Sequence, residues 1–242
     1  MRIAHVSGIG VVLVFGVIAT TRAASAQSAP PSSAGALFAD SKQYPLLPRP
    51  LEIELALNAA PKALREQATV WVLEASGYTK AQIGTNAFAC IVSRRGDLVP
   101  ICWDAEGTRS MLTLDFEDAR MRLAGKSGKE IDEAIAAGFR SGLYHAPARA
   151  GVSYMLSPAR YRIDERGAVT RVPPLPHVMF YAPNLTDADV GGARGGYVFI
   201  NRVGPDGMMI VPVGEKEKDA IMTESRSLIA AIEQVLGYRT QP

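Results

Sequence analysis

Asn86-Ala87-Phe88-Ala89-Cys90-Ile91-Val92-Ser93-Arg94-Arg95-Gly96-Asp97-Leu98-Val99-Pro100-Ile101-Cys102-Trp103-Asp104 is the stretch on which the fold turns. Two runs rich in β-branched and aromatic residues, Asn86 to Arg94 and Leu98 to Asp104, flank Arg95-Gly96-Asp97, the composition of a hairpin with a three-residue loop. That loop length sets position 94 against 98 and therefore Cys90 against Cys102. The chain has 2 cysteines. In an oxidising compartment such a facing pair closes, and a bridge over a loop of this size contributes about 3 kcal/mol by restricting the unfolded chain. A redox or metal role calls for a closer pair or for more ligands, so a structural disulfide is expected.

Outward from the hairpin, Leu51 to Ala60 reads as a helix and Ala68 to Glu74 as a strand, which Gly77 to Gly84 then breaks. Downstream, Asp104-Ala105-Glu106-Gly107 reads as a turn leading into a third strand at Met111 to Leu114, which makes a meander. Asp115 is placed to cap a helix over Phe116 to Leu123. Ser127-Gly128-Lys129-Glu130 matches a capping box, followed by Ile131, Ile135 and Phe139 on one helical face and a stop at Gly142. Gly151 to Leu156, Tyr161 to Ile163 and Val169 to Val172 read as strands, the last two joined through Glu165-Arg166-Gly167. Tyr197 to Arg202 and Met208 to Val213 flank the turn Gly204-Pro205-Asp206-Gly207. A final helix is expected over Glu215 to Leu236. Strands joined by hairpins, with helices between the runs, predict an α+β fold: a mostly antiparallel sheet of meander plus hairpins, three or four helices and one disulfide.

At the amino end, Arg2 and His5 precede the apolar stretch Ile9 to Ala19 and then Ala24-Ser25-Ala26, the small-x-small pattern of a cleavable signal peptide over residues 1–26 with cleavage between Ala26 and Gln27. The apolar run is too short to span ~30 Å of hydrocarbon, and nothing later approaches that length. The expectation is export to the periplasm or beyond the cell, with no membrane span once the signal is removed. Residues 27–49, rich in Ser, Ala and Pro, read as a disordered or extended lead-in, and 50–242 as a single globular domain.

A hydrophobic fraction of 48% against 21% charged residues excludes a disordered or polytopic membrane chain. Without Arg2 and Arg22, both in the leader, 24 basic residues balance 24 acidic ones. That balance argues against nucleic acid as a partner. The densest basic clusters, Arg94-Arg95 and Arg160, Arg162 and Arg166, lie beside turn residues and read as solvated turns.

Chemistry-bearing residues are sparse. Pro173-Pro174-Leu175-Pro176-His177 holds a lone imidazole on a stiff segment, and with Tyr181 and Tyr154 it forms a candidate ligand pocket. Asp187 and Asp189 follow closely, so His177, Asp187 and Asp189 form a candidate metal set. As a cap, Thr186 gives the two Asp a simpler role. Asp104 and Glu106 are a second carboxylate pair, which spacing cannot connect to His177. Gly191-Gly192-Ala193-Arg194-Gly195-Gly196 matches neither phosphate-binding pattern. No nucleophile elbow is present, Ser153 and Ser157 have no linked base, and His145 follows a helix end. No cofactor is required by any of these patterns.

Three blocks, Cys102-Trp103-Asp104-Ala105-Glu106-Gly107, Gly151-Val152-Ser153-Tyr154-Met155-Leu156-Ser157-Pro158 and His177-Val178-Met179-Phe180-Tyr181-Ala182-Pro183-Asn184, resemble an uncharacterised family of exported bacterial proteins. The resemblance covers the chain from about residue 50 onward. It implies bacterial origin and export and brings no activity with it. The sequence thus points to an exported domain that binds a small molecule or an envelope protein. A metal-assisted hydrolase using His177 with Asp187 or Asp189 is the alternative, and a structural envelope protein the second.

Overall fold

The computed structural model describes residues 45–95, 97–164, 168–192 and 197–238. The expected signal peptide, most of the expected lead-in, Gly96, the expected turn at Glu165-Arg166-Gly167 and residues 193–196 of the glycine-rich segment lie outside the described residues. From Pro45 the chain is already packed: Leu47 is buried, and the Pro45 carbonyl accepts from the Arg94 guanidinium at 3.5 Å.

The cysteine hairpin is the centre of the sheet. Strand β3 (Ala89–Ser93) pairs antiparallel with β4 (Asp97–Trp103), and Cys90 stands opposite Cys102, as the loop length requires. The two sulfurs are bonded, and the bridge is fully buried. To one side, β1 (Thr69–Glu74) runs parallel to β3 and pairs with β2 (Gly77–Gln82). To the other lie β5 (Val152–Met155), β8 (His177–Tyr181), β10 (Met208–Pro212) and the short β9 (Phe199–Ile200). Strands β6 (Tyr161–Ile163) and β7 (Val169–Arg171) attach through β4, giving among the described residues a sheet of 10 strands in which every pair except β1–β3 is antiparallel. The mostly antiparallel α+β expectation therefore holds.

Because strand side chains alternate, the hairpin gives each face a core. Cys90, Val92, Leu98 and Cys102 lie on one face against helix α1 (Arg49–Asn58) and the carboxy-terminal helix α7 (Arg226–Leu236). Ile91, Ile101 and Trp103 lie on the other, against α4 (Leu112–Leu123) and α5 (Gly128–Ser141). The capping box at Ser127 is formed, and Gly142 ends α5 in the left-handed conformation, as expected.

Four local readings are corrected. Gly77 to Gly84 does not break the sheet but contributes β2, an edge strand whose weak apolar pattern is compensated by pairing, by Tyr78 donating to the Val92 carbonyl at 2.6 Å and by Lys80 over the Trp71 ring. Asp104-Ala105-Glu106-Gly107 is not a turn into a third strand: Asp104 accepts from the Gly107 N–H and caps α3 (Ala105–Ser110), and α4 follows at once. Met111, Leu112 and Leu114 are buried at helical rather than alternating positions, and Asp115 is inside α4 rather than at its cap. The final helix is divided at Ser225 into α6 (Glu215–Glu224) and α7, where the buried Ser225 hydroxyl exchanges hydrogen bonds with the Asn58 amide at 3.2 and 3.3 Å. With α1 and α5, these make six helices among the described residues, plus the single turn α2 (Lys62–Arg65), rather than three or four.

Candidate functional site

The α4–α5 face of the sheet is covered unevenly. Phe116 of α4 packs its ring on Trp71 and Tyr78, with centroids 4.9 and 5.6 Å away, and so closes the β1–β2 side. Over β4, β8 and β10 the same face opens as a cleft of about 500 Å³. Its floor is set by strand register: Ile101 of β4, Met155 of β5, Met179 of β8, and Met208 and Ile210 of β10. A volume of this size with an apolar floor matches the usual small-molecule site.

The rim is cationic. Arg95 and Arg202 both donate to Asp206 Oδ2 at 3.1 Å. Arg160 donates to Asp97 Oδ2 at 2.8 Å and Arg162 to Asp97 Oδ1 at 3.2 Å. Each of these nearly buried carboxylates is shared by two guanidiniums, so each group keeps one net positive charge. Arg95 and Asp97 stand on either side of the β3–β4 connection, which ties the Gly204–Gly207 turn to β6 across the cleft. That turn is closed by the Gly207 N–H on the Gly204 carbonyl at 3.0 Å and carries Asp206 inward.

Two further groups face this space. Asp115 accepts from the Ser93 hydroxyl at 2.5 Å and from the Trp103 indole at 3.0 Å, and burial pushes its carboxyl up to about 6. His177 lies 2.5 Å from the Leu175 carbonyl through Nδ1. A carbonyl only accepts, so Nδ1 carries the proton. Burial moves the imidazole below its ordinary value, with the Arg160 charge acting the same way, so the ring is neutral and Nε2 is left as a bare acceptor. Among the described residues neither Nε2 nor Arg160 Nε has a hydrogen-bond partner. Such orphaned buried polar atoms call for an explanation.

The expected pocket of His177, Tyr181 and Tyr154 is not assembled. His177 and Tyr181 share a strand face, but Met179 lies between them, and the Tyr181 hydroxyl is committed to Asp104 at 2.6 Å. Tyr154 stands on the opposite face, its ring 5.8 Å from Phe88 beside the disulfide core. His177 alone of the three lines the cleft. The expected His177, Asp187 and Asp189 metal set is not brought together either. Asp187 accepts from the Ile200 N–H at 2.6 Å, level with Phe180, and Asp189 is folded back on Thr186. Among the described residues no group of three His, Cys, Asp or Glu side chains converges.

Of the second carboxylate pair, Asp104 caps α3 and Glu106 accepts from the Ala148 N–H at 2.7 Å and from Arg149 at 3.1 Å, so neither meets His177. Glu106 and His145 line a separate cavity of about 570 Å³, where Arg109 and Arg149 already neutralise the buried carboxylate.

No family model, curated protein or solved structure matches the chain.

The cleft is therefore the site on its own geometry. Sequence reasoning missed its rim because it dismissed Arg95, Arg160 and Arg162 as solvated turns. The available signal was their spacing: Arg160 and Arg162 are two residues apart at the start of β6, and Arg95 and Asp97 bracket one connection.

Proposed function

We propose that the protein is an exported bacterial binding domain that holds a small molecule with an apolar body in the cleft over β4, β8 and β10. One observation carries the reading: a strand-built apolar floor left open beneath a rim that retains net positive charge and unpartnered polar atoms. Binding is favoured over turnover because His177 has no carboxylate beside it among its hydrogen-bond partners, and no free cysteine is present among the described residues. The metal-assisted alternative loses its ligands with the separation of Asp187 and Asp189 from His177.

Export is supported by the leader pattern of residues 1–26 and by the buried disulfide. The same features agree with the resemblance to exported bacterial proteins.

The test uses the neutral dye N-phenyl-1-naphthylamine, whose fluorescence rises in apolar surroundings. The protein is expected to bind it saturably, and Met179→Trp, which fills the floor, is expected to abolish the signal while circular dichroism stays unchanged. A dye signal indifferent to Met179→Trp, or none in the parent protein, overturns the reading. For export, expression of the full chain in a bacterium should give a mature protein beginning at Gln27; a retained leader overturns that part.

A further inference from the structure

Two polar atoms at one end of the cleft have complementary hydrogen-bonding needs. Arg160 and His177, together with Met155 and Leu175, line both the cleft and a recess of about 20 Å³ beside it, beneath Pro173 and Pro174. That volume suits a single oxygen atom. Arg160 directs its terminal nitrogen to Asp97, leaving Nε–H as an unused donor. His177 is 4% exposed, fixed through Nδ1, and leaves Nε2 as an unused acceptor. A ligand satisfying both brings an acceptor to Arg160 Nε–H and a donor to His177 Nε2, either on one hydroxyl oxygen or on two adjacent groups.

The charge around the pair decides which acceptor. Asp97 and Asp206 each balance only one of their two arginines, and Asp115, charged above about pH 6, offsets one more, so four arginines face three carboxylates and the rim still favours an anion. Guanidinium donors suit a carboxylate, and a neutral imidazole lone pair beside them suits a hydroxyl, whose proton it accepts. The remaining floor, Ile101, Met179, Met208 and Ile210, offers only apolar and polarizable contact.

We propose that the cleft selects an apolar-tailed hydroxy acid, with the carboxylate on Arg160 Nε–H and the neighbouring hydroxyl donating to His177 Nε2. This rests on the reading of the cleft as a small-molecule site and adds the chemistry of the head group. The hydroxyl oxygen occupies the recess, the carboxylate faces the arginine rim, and the chain lies along the methionines.

Calorimetric titration with decan-1-ol, decanoate and 3-hydroxydecanoate, which share a chain and differ at the head, tests it. The expected order is 3-hydroxydecanoate tightest, then decanoate, then decan-1-ol, each step about tenfold. Arg160→Met should remove the difference between acid and alcohol. His177→Ala should make the two acids equal while leaving both above the alcohol. Because His177 is buried and its variant could fail to fold, the three-ligand order in the unaltered protein is decisive by itself. Equal affinity of decanoate and 3-hydroxydecanoate, or of alcohol and acids, overturns the head-group assignment while dye binding lost in Met179→Trp still stands for the cleft. Failure of both the dye and all three ligands overturns the two together.

Discussion

Tyr181 at the end of β8 donates its hydroxyl to Asp104 Oδ1 at 2.6 Å, joining the strand that floors the cleft to the cap of α3. The same carboxylate accepts from the Gly107 N–H at 2.9 Å and the Val152 N–H at 2.8 Å. The contact demands two glycines: a Cβ on Gly107 would lie 2.2 Å from the Tyr181 hydroxyl, and one on Gly151 would lie 2.3 Å from Asp104 Oδ2. Tyr181→Phe should cost about 1.5–3 kcal/mol, the range for a hydrogen bond to a charged acceptor. Gly107→Ala should cost more in the parent than in the Tyr181→Phe background, where the clashing oxygen is gone. Urea denaturation of the four proteins of this cycle measures both, and equal costs of Gly107→Ala would refute the coupling.

Arg94 and Glu52, 1% and 0% exposed at their side chains, form an ion pair at 3.0 Å beneath α1. Glu52 also accepts from the Leu73 N–H at 2.8 Å. Removing one charge strands the other in the core, so Arg94→Met should destabilise by about 3–5 kcal/mol. Arg94→Met combined with Glu52→Gln should recover much of that loss, because the amide still accepts from Leu73. Denaturation midpoints compare them; a double variant no better than the single would show that packing, not the stranded charge, sets the cost.

The disulfide should contribute about 3 kcal/mol, since it closes a loop with a sequence separation of 12. Replacing both cysteines by Ala should lower the urea midpoint accordingly while leaving the denaturant slope close to that of the reduced parent. An unchanged midpoint would mean that the hairpin is held by its two cores alone.

Asp115 predicts a pH dependence with a definite sign. Its carboxyl rises from 3.8 to about 6 on folding because burial disfavours the charge. Between those values the native state binds the extra proton, so this residue's contribution to stability grows as pH falls through 6 and is fully lost above it. The difference between pH 7 and pH 4 is on the order of 2 kcal/mol, because each tenfold gain in proton affinity on folding is worth about 1.4 kcal/mol and the gain is not complete until the pH is below 3.8. His177, held below its ordinary value, acts oppositely on acidification, so the comparison is between the parent and Asp115→Asn at each pH. The variant should gain stability over the parent at pH 7 and lose that advantage toward pH 4. Parallel curves would show an ordinary carboxyl.

The features legible in the sequence are those whose causes are local. Cys90 and Cys102 are set opposite by a loop length, and the Ser127–Glu130 box is complete within one turn. Met111 to Leu114 were legible as apolar but not as helical, because four residues fit either period and only the Asp104 cap decides between them. β2 was obscured by Gly77 and Gly84 because an edge strand draws its order from its neighbour. At the cleft, His177 stood out through the prolines before it. Asp115, Asp206 and the arginines each had an adequate local role as cap, turn or solvated side chain. Their convergence depends on contacts such as Arg95 to Asp206, 111 residues apart, which spacing does not encode.

The β3–β4 ladder on which both faces rest is also among the easiest parts of the molecule to form. Its paired residues are close in sequence, whereas β5 and β8 must return to it across α3, α4 and α5. Loop-closure entropy grows with the length enclosed, so the shared wall of the two cores is available before most of what packs on it. Each layer of helices then adds to a surface that already exists, and an error on one face need not propagate to the other.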